Sequence, residues 1–266
     1  MNIKTLIRCM PLQTDPKKYE TFVRKTDYKK LLAEEPLCIK DEYYGDKKDL
    51  VETDLPSITG YFELHRKLDE TYKLSEVAEA ATDFEKVLKV LGWLTENTFY
   101  NGAQLHMLTD DTREIMKYAF GKSFKNAINC RLKAIAFADC LVAVGVKAYP
   151  VAMCSAEFKN SHFTCRAFIS ELNKWCLFDP SFGCWFADEK GNPIDAFEMR
   201  EMFLQGREPV VKGYDFNGTT ECKDVYIYGF LKLCISNLST WRDNSMDRRK
   251  AKSFKDRKLF NGKIPE

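Results

Sequence analysis

The sequence predicts an α+β fold in which several helices precede an antiparallel sheet. Three observations carry that expectation. Apolar residues recur at helical spacing from about Leu74 to Gly145. After Gly145 the pattern changes to short runs rich in aromatic and β-branched residues. No internal repeat or low-complexity tract points to an array of stacked units instead.

Residues 1 to about 60 are charged and interrupted by Pro16, Pro36, Gly45, Pro56 and Gly60. One candidate helix, Tyr19–Leu32, falls in this stretch, which is expected to wrap a core built elsewhere. The first sharp signal is Thr82-Asp-Phe-Glu85, which has the Thr-x-x-Glu form of a capping box. Behind it Phe84, Val87, Leu88, Leu91 and Leu94 mark a helical face. A second helix is expected from Thr109, with an acidic start and a stop at Gly121. A third opens near Cys130, puts Ala134, Phe137, Ala138, Leu141 and Val142 on one face, and stops at Gly145. Strands follow at Lys147–Cys154, at Ser161–Ile169 and at Lys174–Asp179, the last two joined by a hairpin turn at Glu171–Lys174. A turn at Lys190-Gly-Asn-Pro193 leads to a further helix, Ile194–Gln205, ended by Gly206.

A chain of 266 residues is long enough for one large domain, or for a core domain with an appended helical region. Its formal charge of +2 gives no reason to expect nucleic acid or a membrane surface as partner. The basic run Arg248–Lys258 is read as a solvated face or tail. Lys4 and Arg8 break the apolar start of the chain too early for a secretory signal. No run approaches the roughly 20 apolar residues of a membrane span. A cytoplasmic location is the expectation.

The ten cysteines lie mostly within apolar runs, where cysteine behaves as a small hydrophobe. There is no Cys-x-x-Cys pair among Cys154, Cys165, Cys176 and Cys184, and the three histidines offer no His-x-x-x-His pair. Neither a metal nor an organic cofactor is expected.

Three residues stand apart from this background. Cys130 begins a helix behind Asn129, a good N-cap type, and before Arg131. A thiol must ionise to attack a carbonyl, and the positive end of a helix dipole favours the thiolate. A buried structural cysteine is the plainer alternative, and is the role given to Cys140. His162 stands at the mouth of a strand, where a side chain can face a cleft. Asp179 closes the next strand before Pro180, a pairing that also serves as a turn signal. With the hairpin centred near Asn173, His162 and Asp179 should lie nearly opposite one another, so that the carboxylate can hold the imidazole and set its tautomer.

Asn129-Cys130-Arg131, the run from Ala134 to Gly145-Val146-Lys-Ala-Tyr149, His162, and Lys174-Trp175-Cys-Leu-Phe-Asp179-Pro180 resemble the transglutaminase-like superfamily, in particular its bacterial members. Asp188-Glu-Lys-Gly191-Asn is similar to a turn that follows in those proteins, and Trp93–Gly102 to their Trp-containing helix and loop. The resemblance covers about residues 80 to 240. Ile128 stands where many members carry Gly, and His162-Phe-Thr164 where the common form is His-x-Trp.

The resemblance implies a papain-like core in which the helix bearing Cys130 packs on an antiparallel sheet, with extra N- and C-terminal helices. It divides the chain into an N-terminal region (1–75), a catalytic domain (76–240) and a basic tail (241–266). Cys130, His162 and Asp179 would form a catalytic triad acting on an amide or peptide bond of a peptide or protein substrate through a thioester. It favours hydrolysis over protein cross-linking. A catalytically inactive peptide-binding module on the same fold is the alternative. For the oxyanion, the backbone N–H of Cys130 is the natural first donor, with Gln104 and Trp93 as candidates for the second. His65 is expected at the surface, and His106 in a loop that could approach the cleft.

Overall fold

The computed structural model describes residues 62–102, 111–121, 123–154, 161–213, 234, 235, 237–241 and 257–259. The candidate helix at Tyr19–Leu32 and the residues Gln104 and His106 lie outside them. The helices are α1 (Phe62–Tyr72), α2 (Leu74–Val77), α3 (Asp83–Asn97), α4 (Thr112–Ala119), α5 (Cys130–Ala143) and α6 (Ala196–Leu204). The strands are β1 (Ala148–Cys154), β2 (Ser161–Ile169), β3 (Lys174–Asp179), β4 (Cys184–Ala187), β5 (Val210–Lys212), β6 (Asn237–Trp241) and β7 (Arg257–Leu259). All seven strands form one antiparallel sheet in the order β5-β4-β3-β2-β1-β6-β7. The architecture is α+β.

The helix ends follow their local chemistry. The Thr82 side chain accepts from the Glu85 amide at the start of α3, and Asp111 does the same for Arg113 at α4. α6 opens on a reciprocal capping box between Asp195 and Glu198. The hairpin between β2 and β3 turns through Asn173 at φ 48, a left-handed conformation that asparagine tolerates better than most residues.

Alternation along the strands divides the interior into two cores. On one face Ala152, Cys154, Phe163, Cys165, Ala167, Ile169, Cys176 and Phe178 pack against α1, α3, α4 and α5. On the other, Tyr149, Val151, Met153, Trp175 and Leu177 pack with Ala196, Met199, Met202 and Phe203 around α6.

α5 departs from the amphipathic helix that its sequence predicts. Residues Leu132 to Leu141 are all buried, whichever side of the helix they occupy. The reason is that α1, α3 and α4 cover the side turned away from the sheet. Two charged residues are buried with it. An uncompensated ion inside a protein costs several kcal/mol, about enough to cancel a marginal stability. Each is therefore anchored. Lys133 Nζ donates to the carbonyl of Thr98 at 3.3 Å, at the negative end of the α3 dipole. Asp139 accepts from the Thr112 hydroxyl and lies 3.7 Å from His65 Nε2. His65 is thus a buried residue of α1, not the surface residue expected, because Asp139 offers it a polar neighbour inside.

α1, within the region 1–75 expected to wrap the core, packs on α5, with Leu64 and Leu68 in the helical core. β7 lies in the segment expected to be a basic tail and pairs with β6. Among the described residues, the chain after α6 supplies strands of the sheet where further helices were expected.

Candidate active site

α5 and β1 are joined by a short reversal that passes through Gly145 at φ +84. The start of α5 therefore returns to the end of the sheet where β1 finishes, β2 begins and β3 finishes. Cys130, His162 and Asp179 belong to those three ends.

Asn129 caps α5, its side chain accepting from the Leu132 amide at 3.1 Å. Cys130 is the first residue inside the helix and packs against both cores, so the helix start reaches past the sheet end to the face that carries His162. Its side chain is partly exposed, whereas Cys140, Cys154, Cys165, Cys176, Cys184 and Cys234 are buried. Burial pushes the Cys176 thiol up to about 12, and raises Cys140 and Cys234 as well. Among these seven thiols, brief alkylation with iodoacetamide near neutral pH is expected to modify Cys130 first. Peptide mapping checks this, and a faster reaction at any of the other six would refute it.

His162 and Asp179 are both 0% exposed. His162 Nε2 lies 2.5 Å from Asp179 Oδ2, and because an ionised carboxylate can only accept, Nε2 is the donor. That leaves Nδ1 as the ring nitrogen that can serve the Cys130 thiol, whose proximity also helps to raise the same imidazole. The sequence suggested that His162 and Asp179 lie opposite one another. The register is two residues different: Cys165 pairs with Phe178, which sets Asp179 across from Thr164 and makes His162 its diagonal neighbour. Diagonal residues on one face of a sheet remain within reach of long side chains.

Two neighbours that the sequence reading missed hold this pair. The Ser181 amide donates to Asp179 Oδ1 at 2.7 Å, which fixes the carboxylate in a local turn. Asp-Pro-Ser carries the signal for it, since Asp side chains commonly bond the backbone two residues on. The Phe182 ring stacks on the imidazole at 5.7 Å between centroids, and Tyr100 packs against Phe182 at 5.2 Å. Tyr100 is itself held beside the start of α5 by a bridge to Ile128. Trp93, a candidate oxyanion donor, is placed instead in an aromatic cluster with Tyr72 and Phe120.

Burial alone would discharge the imidazole, but the adjacent Asp179 carboxylate outweighs it, and with help from Cys130 raises His162 to about 10. An unfolded histidine titrates near 6.5. Between those two values the folded state holds a proton that the unfolded state has lost. The stabilisation is complete below about 6.5 and disappears as pH rises through about 10. Urea midpoints measured from pH 7 to 10.5 should fall for the wild type and fall less for His162→Gln. Parallel curves would remove the pair's contribution.

No metal-binding group of three or more His, Cys, Asp or Glu occurs among the described residues, and no described helix is long and apolar enough to cross a membrane.

No family model and no curated protein matches the chain. Among solved structures, it is similar to a candidate cysteine protease from Cytophaga hutchinsonii, at 17% identity and a TM-score of 0.35, over 69% of this chain and 53% of that one. It is also similar to a candidate protease from Parabacteroides distasonis, at 13% identity and a TM-score of 0.30, over 46% of this chain and 26% of that one. The chain thus spans about half and about a quarter of the lengths of these two proteins. Likenesses this distant leave the functional reading to the residues themselves.

Proposed function

We propose that the protein is a transglutaminase-like cysteine enzyme that cleaves amide or peptide bonds, with Cys130 as nucleophile, His162 as proton carrier and Asp179 as its orienter. The observation that carries the reading is the buried His162–Asp179 pair beside a partly exposed thiol at a helix N-terminus.

The chemistry follows from where the protons are. His162 is held in its charged form, which suits it to stabilise an attacking thiolate and to hand a proton to the leaving group. The Cys130 sulfur attacks the carbonyl carbon, and the carbonyl oxygen takes up the electron pair. Near the start of α5, the Cys130 backbone N–H is suited to receive that oxyanion. As the C–N bond breaks, His162 gives its proton to the departing amine, leaving a thioester on Cys130. Neutral His162 then removes a proton from water, which attacks the thioester and releases the acid. Both half-reactions use one imidazole, which is why its orientation matters more than its average charge. Asp179 supplies that orientation, and Phe182 closes one face of the ring to water.

Exposure to an electrophilic amide analogue, followed by peptide mapping, tests this reading. The expected result is one adduct at Cys130, lost in Cys130→Ala and reduced in His162→Gln. Retention of a peptide by wild type and Cys130→Ala alike, with no adduct or turnover in either, would instead make the chain a peptide-binding module.

A further inference from the structure

Two hydroxyl groups beside Asp179, Thr164 Oγ1 and Ser181 Oγ, are buried without a hydrogen-bond partner. Thr164 is 0% and Ser181 2% exposed. The hairpin register sets Thr164 across from Asp179, on the face that also carries His162. Ser181 already gives its amide to Asp179 Oδ1, so the residue that carries the second hydroxyl is tied to the same carboxylate. Leaving a buried hydroxyl unsatisfied is destabilising, and a sequence with no use for these two could carry Val and Ala at low cost. The carboxylate between them has the opposite need. A carboxylate accepts up to about four hydrogen bonds.

We propose that Thr164 and Ser181 are positioning residues that serve the Asp179 carboxylate through one shared internal water. The water accepts from both hydroxyls and donates to the carboxylate, which gives it the two to four polar partners that a buried water requires. Asp179 is then held by bonds besides the one to His162 and stays aimed at Nε2. The inference rests on the reading of His162 and Asp179 as a working pair, but it makes a claim about that pair whether or not Cys130 turns over a substrate.

The test is the nitrogen NMR resonance of His162 Nε2 in full-length protein labelled at histidine. The chain has three histidines, so His162→Gln identifies the signal. Thr164→Val keeps the shape and removes the hydroxyl, and Ser181→Ala provides an independent removal. Each loss makes Asp179 a stronger acceptor towards His162, so the Nε2 resonance should move downfield in both variants. Thr164→Ser, which retains the hydroxyl, should return it to the wild-type position. An unmoved resonance in both folded variants would overturn the proposal. So would Thr164→Ser displacing it as far as Thr164→Val, because the effect would then be packing. Absence of any adduct or turnover at Cys130 would overturn the enzymatic reading alone, since the resonance is measured without substrate.

Discussion

Asp179→Asn is expected to lower turnover at neutral pH by roughly 10- to 10³-fold while leaving the protein folded. The asparagine can accept from the Ser181 amide through its one oxygen, so the turn that follows β3 survives, but it then turns an NH2 donor towards His162 and favours the other imidazole tautomer. It lacks the negative charge that holds the imidazole protonated against its own burial. Loss of the corresponding carboxylate in a serine triad costs about 10⁴ in rate. A thiol is intrinsically far more acidic than a hydroxyl, so a cysteine enzyme depends less on its third member. Values of kcat/KM, measured on a substrate found through the electrophilic probe, decide the point, with circular dichroism as the control. Full activity in a folded Asp179→Asn protein would make Asp179 a turn residue and reduce the group to Cys130 and His162.

The largest expected effect on stability lies elsewhere on the same face of the sheet. Arg166 is buried and forms a bidentate pair with Asp195, at 2.7 and 2.6 Å, and also donates to the Tyr149 hydroxyl. Its guanidinium lies over the rings of Trp175, Phe197 and Tyr149, at 5.2, 5.5 and 5.6 Å from their centroids. Replacing it by Met preserves much of the apolar stem but leaves Asp195 charged and buried without its cation. Breaking one half of such a pair costs about 3–5 kcal/mol, a large part of a typical domain's stability. Urea denaturation of Arg166→Met should show that loss, and adding Asp195→Asn should recover part of it. The asparagine removes the stranded charge while remaining a good N-cap for α6. An unchanged midpoint in Arg166→Met would mean that the stacking surface, not the charge pair, holds α6 to the sheet.

Much of this arrangement was legible in the sequence because the signals are local. Thr82 and Asn129 announce helix starts, and Gly121, Gly145 and Gly206 announce their ends. The proximity of His162 to Asp179 followed from strand periodicity and one turn. What was not legible depends on packing partners distant in sequence. Nothing in the run Cys130–Ala143 says that α1 and α4 will bury its polar side together with Lys133 and Asp139. The four-residue β4 and three-residue β5 and β7 are too short to display a period. The diagonal placement of His162 depends on register, which a shift of one residue changes and which the turn alone does not reveal. Phe182 is an aromatic like many others until the chain folds it over the imidazole.

The position of β6 has a consequence for how the chain is made. Ala152 of β1 pairs with Ser239, about 87 residues later, while the other side of β1 is taken at once by β2. At ~5–20 residues per second, the ribosome needs roughly 4–17 s to deliver that partner. Throughout this interval a strand with two apolar faces presents a row of unsatisfied amides and carbonyls, the usual template for pairing with a foreign strand. A nascent chain can wait a few seconds, especially if the helices have already covered one face. A chain cut before Asn237 waits indefinitely, and its defect would appear first as inclusion bodies rather than as a slow enzyme.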